Sequence, residues 1–242
     1  MKNAVLLPLG LFLMALACSC YFEGWNNGIT GAGNVVEEKR DLDGFTGLHI
    51  TSGVDVFLSQ DAEYTVRVEA DENLVEMIKT EVKGELLEVG VEKPGIRRAE
   101  SKKVFVSLPD LKSIRVSSAG DCTGETPFRC EELDIEVSSA GDLTMEVYAR
   151  RIDLDISSSG DVKLSGEAGD FEADLSSAGD LDAFDLTAKR VDVSVSSAGN
   201  AKVFATEELR MVSSSAGYIY YRGDAKIIRS SSSSAGNIIS QN

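Results

Sequence analysis

A single histidine, His49, and a single tryptophan, Trp25, stand in a chain of 242 residues. One imidazole excludes a multi-histidine metal site and any catalytic pair of imidazoles. The many serines, without a base beside them, read as corner packing and shared hydrogen bonds rather than as nucleophiles. Basic residues are also scarce: 24 Lys and Arg face 40 Asp and Glu, a net charge of −16. No basic stripe with interleaved aromatics exists, so nucleic acid and electrostatic docking on anionic lipid are excluded as partners. The apolar run at residues 4–17 is too short to span a bilayer comfortably. Hairpin tips of the Asn-Gly or Asp-Gly type are missing from the second half, where the order is reversed to Gly-Asp.

What is present there is one recurring word of two serines, a small residue, a glycine and usually Asp or Asn. Its copies begin at Ser117, Ser138, Ser157, Ser176, Ser196, Ser214 and Ser233, with glycines eighteen to twenty-one residues apart. A period that regular marks a stacked repeat. Around each copy the apolar residues keep one parity, as in Ile135, Val137, Leu143, Met145 and Val147. Period two is a strand with one face buried. On that parity the second serine and the glycine point inward, and the glycine supplies the positive φ of a sharp bend. Polar corners follow at residues 148–151, 165–170, 187–190, 205–208 and 222–226. Propeller blades need about 40 residues per repeat, so the pattern predicts an all-β chain: a single-stranded parallel β-helix, or β-solenoid, of about 19–20 residues per coil. Stacked at ~4.8 Å per strand, seven coils make a rod of roughly 30 Å.

Residues 1–17 read as a secretory signal: Lys2, an apolar run, then small residues. A cysteine directly after such a run suggests a bacterial lipoprotein, with Cys18 the expected acylated residue and Cys20 the alternative. A plain cleaved signal is the bland reading. Residues 18–34, rich in Gly and Asn, read as a tether, within which Gly31-Ala32-Gly33-Asn34 echoes the repeat word. Export exposes the body to oxidising conditions, so Cys122 and Cys130 are candidates for a disulfide closing a corner-like insert, with two buried thiols as the alternative.

Residues 35–110 read as irregular N-terminal β coils, either a cap or the first part of the solenoid, and residues 111–242 as the regular repeats. Residues 73–80 carry the helical pattern, with Asp71 or Asn73 available as cap. Arg40-Asp41-Leu42-Asp43-Gly44-Phe45, Ile50-Thr51-Ser52-Gly53-Val54-Asp55-Val56, Val68-Glu69-Ala70-Asp71-Glu72-Asn73-Leu74, Leu108-Pro109-Asp110-Leu111 and the Ser-Ala-Gly-Asp words resemble the head GIN domain of auto-transporter adhesins. The resemblance spans residues 35–242. It implies a β-helical fold and an envelope lipoprotein of Bacteroidetes-type bacteria labelled adhesin, and it carries no catalytic residues.

Stacking would align outward residues into rails. One reads Asp134, Asp153, Glu172, Asp192, Arg210 and Arg229. The other reads Asp121, Asp142, Asp161, Asp180, Asn200, Tyr218 and Asn237. Aligned carboxylates invite calcium, but the nonapeptide calcium spacing is missing and Asp is a good turn residue, so no metal site and no cofactor are expected. Tyr148, Phe204, Tyr218, Tyr220 and Tyr221 could form an aromatic surface for sugars, although Tyr221 has inward parity. Arg97-Arg98 and Arg150-Arg151 read as solvated corners. The expected function is a non-enzymatic envelope lipoprotein, anchored through its N-terminal lipid, presenting a rod to a protein or glycan partner. A lyase-like carbohydrate-active enzyme and a self-associating envelope scaffold are the alternatives, and the location is the cell envelope, at the outer membrane.

Overall fold

A computed structural model of the chain describes residues 28–242. The signal expected at residues 1–17, Cys18, Cys20 and Trp25 lie outside the described residues. The N-terminal half contains β1 (Ile29–Thr30), β2 (Val35–Arg40), β3 (Gly47–Ile50), β4 (Asp55–Gln60), β5 (Thr65–Asp71), β6 (Ile78–Lys83), β7 (Leu86–Val91), β8 (Ile96–Arg98) and β9 (Lys102–Leu108). The repeats supply β10 (Ser113–Val116), β11 (Asp121–Gly124), β12 (Phe128–Val137), β13 (Asp142–Ile156) and β14 (Asp161–Leu175). Then come β15 (Asp180–Val195), β16 (Asn200–Ser213), β17 (Tyr218–Arg222), β18 (Lys226–Ser232) and β19 (Asn237–Ser240).

Every repeat lies parallel on its predecessor, one coil away. Before the corner one inner column runs Val116, Val137, Ile156, Leu175, Val195, Ser213 and Ser232. After it another runs Cys122, Leu143, Val162, Leu181, Ala201, Ile219 and Ile238. The chain is the parallel β-helix its period predicts. Within one coil Leu133, Ile135, Val137, Leu143, Met145 and Val147 are all buried, and each such side chain contributes about 1.5–3 kcal/mol on leaving water. Most of the expected polar corners are bends within continuous strands, since Tyr148 pairs with Glu167 and Ala149 with Ala168. Of those corners only 223–225 breaks the strand, between β17 and β18, as residues 125–127 do between β11 and β12 in the first repeat.

The repeated word works differently from its sequence reading. The second serine is exposed and left-handed, with φ of 54° at Ser118 and 52° at Ser139. The following residue is also left-handed in five copies, as at Ala119 (58°) and Ala140 (59°). In those copies the glycine N–H donates to the first serine's carbonyl, Gly141 to Ser138 at 3.0 Å for example, closing a turn with two left-handed central residues. The glycines themselves have ordinary φ and point inward. They are required by close approach: a Cβ at Gly141 would lie 2.8 Å from the Val116 oxygen. Small exposed residues at the tip accept a strain of about 1–2 kcal/mol each, offset by bonds between coils such as Ala119 N–H to Ser139 O at 3.0 Å.

In the N-terminal half, β3 and β4 form a further coil, bent at Ser52 (φ 62°) and Gly53 (φ 64°). It lies directly on β10 and β11. On its other side lie β7 and β9, again parallel, although they come later in the chain. Three antiparallel strands then finish this end: β6 on β7, β5 on β9 and β2 on β5. The half is thus both coil and cap. Antiparallel strands pair the edge that a parallel coil would leave open.

Three expectations here are corrected. Only Val75–Met77 forms a helical turn, of the 3-10 type, because Ile78 is taken up by pairing with Val91. Its expected caps are engaged elsewhere: buried Asp71 accepts from the N–H of Gly33 (2.9 Å), Glu100 (2.9 Å) and Ser101 (3.1 Å). Asn73 bonds Ala32 N–H at 2.8 Å and Thr30 O at 3.0 Å. Gly31–Asn34 is therefore no corner of the repeat but a segment pinned to the cap, and Ile29–Thr30 already pairs with β8.

Candidate functional site

Both predicted rails exist, residue for residue. Before the corner, Asp134 pairs with Asp153, Glu172, Asp192, Arg210 and Arg229 in succession. Two residues along each strand a second acidic column runs Glu136, Asp155 and Asp174 beside Arg115. Burial first, and then the Asp174 and Glu136 carboxylates, hold Asp155 above its ordinary value. Neighbouring cations relieve part of the repulsion: the Arg151 guanidinium spans Asp153 (2.6 Å) and Glu172 (2.7 Å).

Arg151 belongs to a column that sequence reasoning missed. Glu132, Arg151, Asp170, Arg190, Glu208 and Lys226 stack with alternating sign. Arg190 grips Asp170 with two bonds, of 2.5 and 2.8 Å, and holds that carboxyl below its ordinary value. Arg151 is therefore part of a ladder, not a free corner. The signal was available, because the same coil offset that defines the rails also aligns these six.

After the corner the rail begins earlier than predicted, at Lys103 and Asp55, before Asp121, Asp142, Asp161 and Asp180. It ends in Asn200, Tyr218 and Asn237. Burial, followed by adjacent carboxylates, raises Asp121, Asp142 and Asp161 above the usual range. Asn200 caps the run by donating to Asp180 at 2.6 Å. The neighbouring column carries Thr144, Lys163, Asp182, Lys202 and Tyr220. Over the two columns lies an open groove of about 830 Å³, whose lining extends to Tyr220 and Gln241. Lys202 pairs with Asp182 at 3.0 Å, while Lys163 makes no ion pair among the described residues.

The five aromatics do not share a face. Tyr148 and Phe204 lie on another side of the rod, where Tyr148 bonds Glu146 (2.7 Å) beneath Arg129. Tyr221 packs against the core. Tyr218 and Tyr220 remain, their rings stacked at 6.2 Å and 11°. A second outward pair, Phe57 and Phe105, stacks at 5.1 Å near the cap with Arg67 over it at 3.9 Å. His49 is half-buried and faces outward between Glu88 and Arg115. Cys122 and Cys130 are free thiols, the first fully buried. Burial pushes Cys122 up to about 12 and Cys130 up to about 11. Among the described residues no three acidic, cysteine or histidine side chains converge as a metal site.

A parallel β-helix with repeated polar ladders along its sides is the class of protein this geometry defines. The family model described as putative auto-transporter adhesin, head GIN domain, matches residues 44–225, and the chain belongs to that family. Its fold is shared by a putative adhesin from Bacteroides fragilis (TM-score 0.82, 22% identity), with 88% of this chain and 99% of that one aligned. A putative adhesin from Parabacteroides distasonis aligns over the same shares at TM-score 0.72 and 20% identity. A protein of the same organism described as a putative lipid binding protein aligns over 88% and 99% at TM-score 0.69 and 21% identity. No protein with a curated function matches the chain in sequence.

Proposed function

We propose that this chain is a non-enzymatic, lipid-anchored protein of the bacterial outer membrane whose β-helix presents a lateral face to a protein or glycan partner. The carrying observation is the ladder: one outward position recurs coil after coil, from Asp121 to Asn237, so the surface repeats a chemistry along its length. Repetition suits multivalent attachment, in which many weak contacts add. Catalysis instead needs one unlike constellation in which a base meets the reacting atoms. Membership of an adhesin family supports a surface role. The apolar run before Cys18, with Cys20 as the alternative, supports export and acylation.

The test is protease shaving of intact cells with immunoblotting, paired with adhesion of beads carrying the purified chain. Accessibility and saturable adhesion are expected. Glycan cleavage by the purified chain, abolished by mutating one acid–base cluster, would overturn the reading, as would full protection on intact cells together with inert beads.

A further inference from the structure

The groove after the corner carries a chemistry more selective than general stickiness. Its first column offers acceptors at coil spacing, Asp161 and Asp180 among them. Its second offers a cation with no ion-pair partner, Lys163, and then the aromatic ring of Tyr220 at the distal wall. Acceptors in the first column thus face donors in the second across a shallow, open groove.

Four classes of ligand meet this strip differently. An extended peptide gains affinity on sheets by pairing with an open edge, but these strands pair on both sides and have no free ladder to offer. An anionic ligand would face the Asp column. A cationic ligand would meet the Asp142, Asp161 and Asp180 carboxylates but would have to pass Lys163, and the carboxylate of Asp182 is already taken by Lys202. Sugar hydroxyls donate and accept at once, and a sugar ring carries a C–H face that lies flat on an aromatic ring. The exposed Asp161 carboxylate, lifted by partial desolvation and by Asp142 and Asp180, lacks donors that hydroxyls would supply.

We propose that this groove binds a neutral linear glycan laid along the rod axis, its hydroxyls donating to Asp161 and Asp180 and accepting from Lys163, with one ring on Tyr220. This rests on the lateral face being the binding face, and it narrows the partner to a polysaccharide.

The experiment is calorimetric titration of the full chain with cellohexaose, xylohexaose and mannohexaose, with chitosan hexamer and a heparin hexasaccharide as charged probes. At least one neutral hexamer is expected to bind, with affinity changing less than about twofold between low and high salt. Tyr220→Ala and the solvent-exposed Lys163→Ala should each weaken it about tenfold, the loss of one good hydrogen bond or stacking contact. Melting of Lys163→Ala should match the parent, which keeps the test independent of folding. Silence with all three neutral hexamers would overturn the proposal. So would salt-sensitive binding of chitosan or heparin alone, or neutral binding that ignores both substitutions. If beads still adhere while neutral sugars fail, only the glycan assignment falls. If the chain is also protected and inert, the adhesive reading falls with it.

Discussion

Replacing Gly141 with alanine would set a methyl group 2.8 Å from the oxygen of Val116 and 2.9 Å from its carbonyl carbon. Both are backbone atoms, so no rotamer change relieves the contact, and the two coils must move apart locally. That oxygen accepts the Ser138 N–H at 2.9 Å, one of the bonds joining the coils. Overpacking costs about 1–3 kcal/mol and a weakened hydrogen bond about 1 kcal/mol, so a loss of about 2–4 kcal/mol is expected. At about 2–4 °C per kcal/mol for a domain of this size, Tm should fall by about 4–16 °C. The companion substitution is Ser139→Gly, at φ 52°. It relieves about 1–2 kcal/mol of left-handed strain and loses about 0.4–1 kcal/mol through a freer unfolded chain. Its net effect should lie between neutral and about 1 kcal/mol stabilising. Thermal melting followed by circular dichroism, with urea titration as a check, measures both. A neutral Gly141→Ala would mean that close approach does not demand the glycine, and a strongly destabilised Ser139→Gly that the serine is not under left-handed strain; either result would make the account of the corner wrong.

Asp161→Asn should raise Tm at pH 7, because burial and neighbouring carboxylates lift the Asp161 pKa above 3.8 and its charge opposes folding. For a raised carboxyl that penalty fades as pH falls through the folded value, so the advantage of Asn should be lost in acid and shrink in salt. Asp71 has the opposite sign: bonds from Gly33, Ser101 and Glu100 depress its pKa below 3.8. Its contribution is full above that value and lost as pH falls through the lower folded one, so Asp71→Asn should destabilise at neutral pH and show a flatter acid melting curve. Labelling cells with a clickable fatty acid should mark this protein. Cys18→Ala should abolish the mark and Cys20→Ala should spare it; the reverse would move the anchor to Cys20. Buried Cys122 should resist maleimide in the folded chain while Cys130 reacts slowly, since both thiols titrate far above neutral. Rapid labelling of Cys122 would contradict its place in the core.

The stack was legible because period and parity are set by local covalent geometry. The inner residues Ile135, Val137, Leu143 and Met145 and both outer rails follow from counting alone. The corner was misread because a glycine has two uses, positive φ and close approach, and composition does not tell them apart. Only coordinates show a Cβ at Gly179 running into Ile156 at 2.5 Å. The order of coils near the cap was hidden for another reason. Parity says which face of Leu86–Val91 is buried, but not that this strand lies beyond the coil that precedes it in the chain. Nor does alternation in residues 64–71 distinguish a parallel rung from an antiparallel cover. The helical pattern at residues 73–80 yielded to tertiary pairing, since Ile78 gains more from its ladder with Val91 than from another helical turn.

The two ends of the rod solve one problem by different means, and the difference bears on presentation. At the cap, open edges are covered by antiparallel strands, and the described chain enters there, with Ile29 paired to Ile96. A lipid upstream of Gly28 would therefore hold the rod by its capped end. At the other end, β18 is exposed along its length with no strand beyond it among the described residues. Its composition does the covering: Ser230 lies where the preceding coil has Met211, and Ser232 below Ser213. These serines, with the charges of Lys226 and Arg229, discourage stacking of further copies, while Ile227, Ile228 and Ile239 stay exposed on the same terminal coil. Residues 222–242 carry Arg222, Lys226 and Arg229 against the single acid Asp224, in a chain of net charge −16. The distal coil thus carries a small positive excess, and it is also where Tyr220 and Gln241 line the groove. Entry of the chain at the capped end, a charged terminal coil at the other and an acidic flank between leave the lateral groove as the surface a partner would meet.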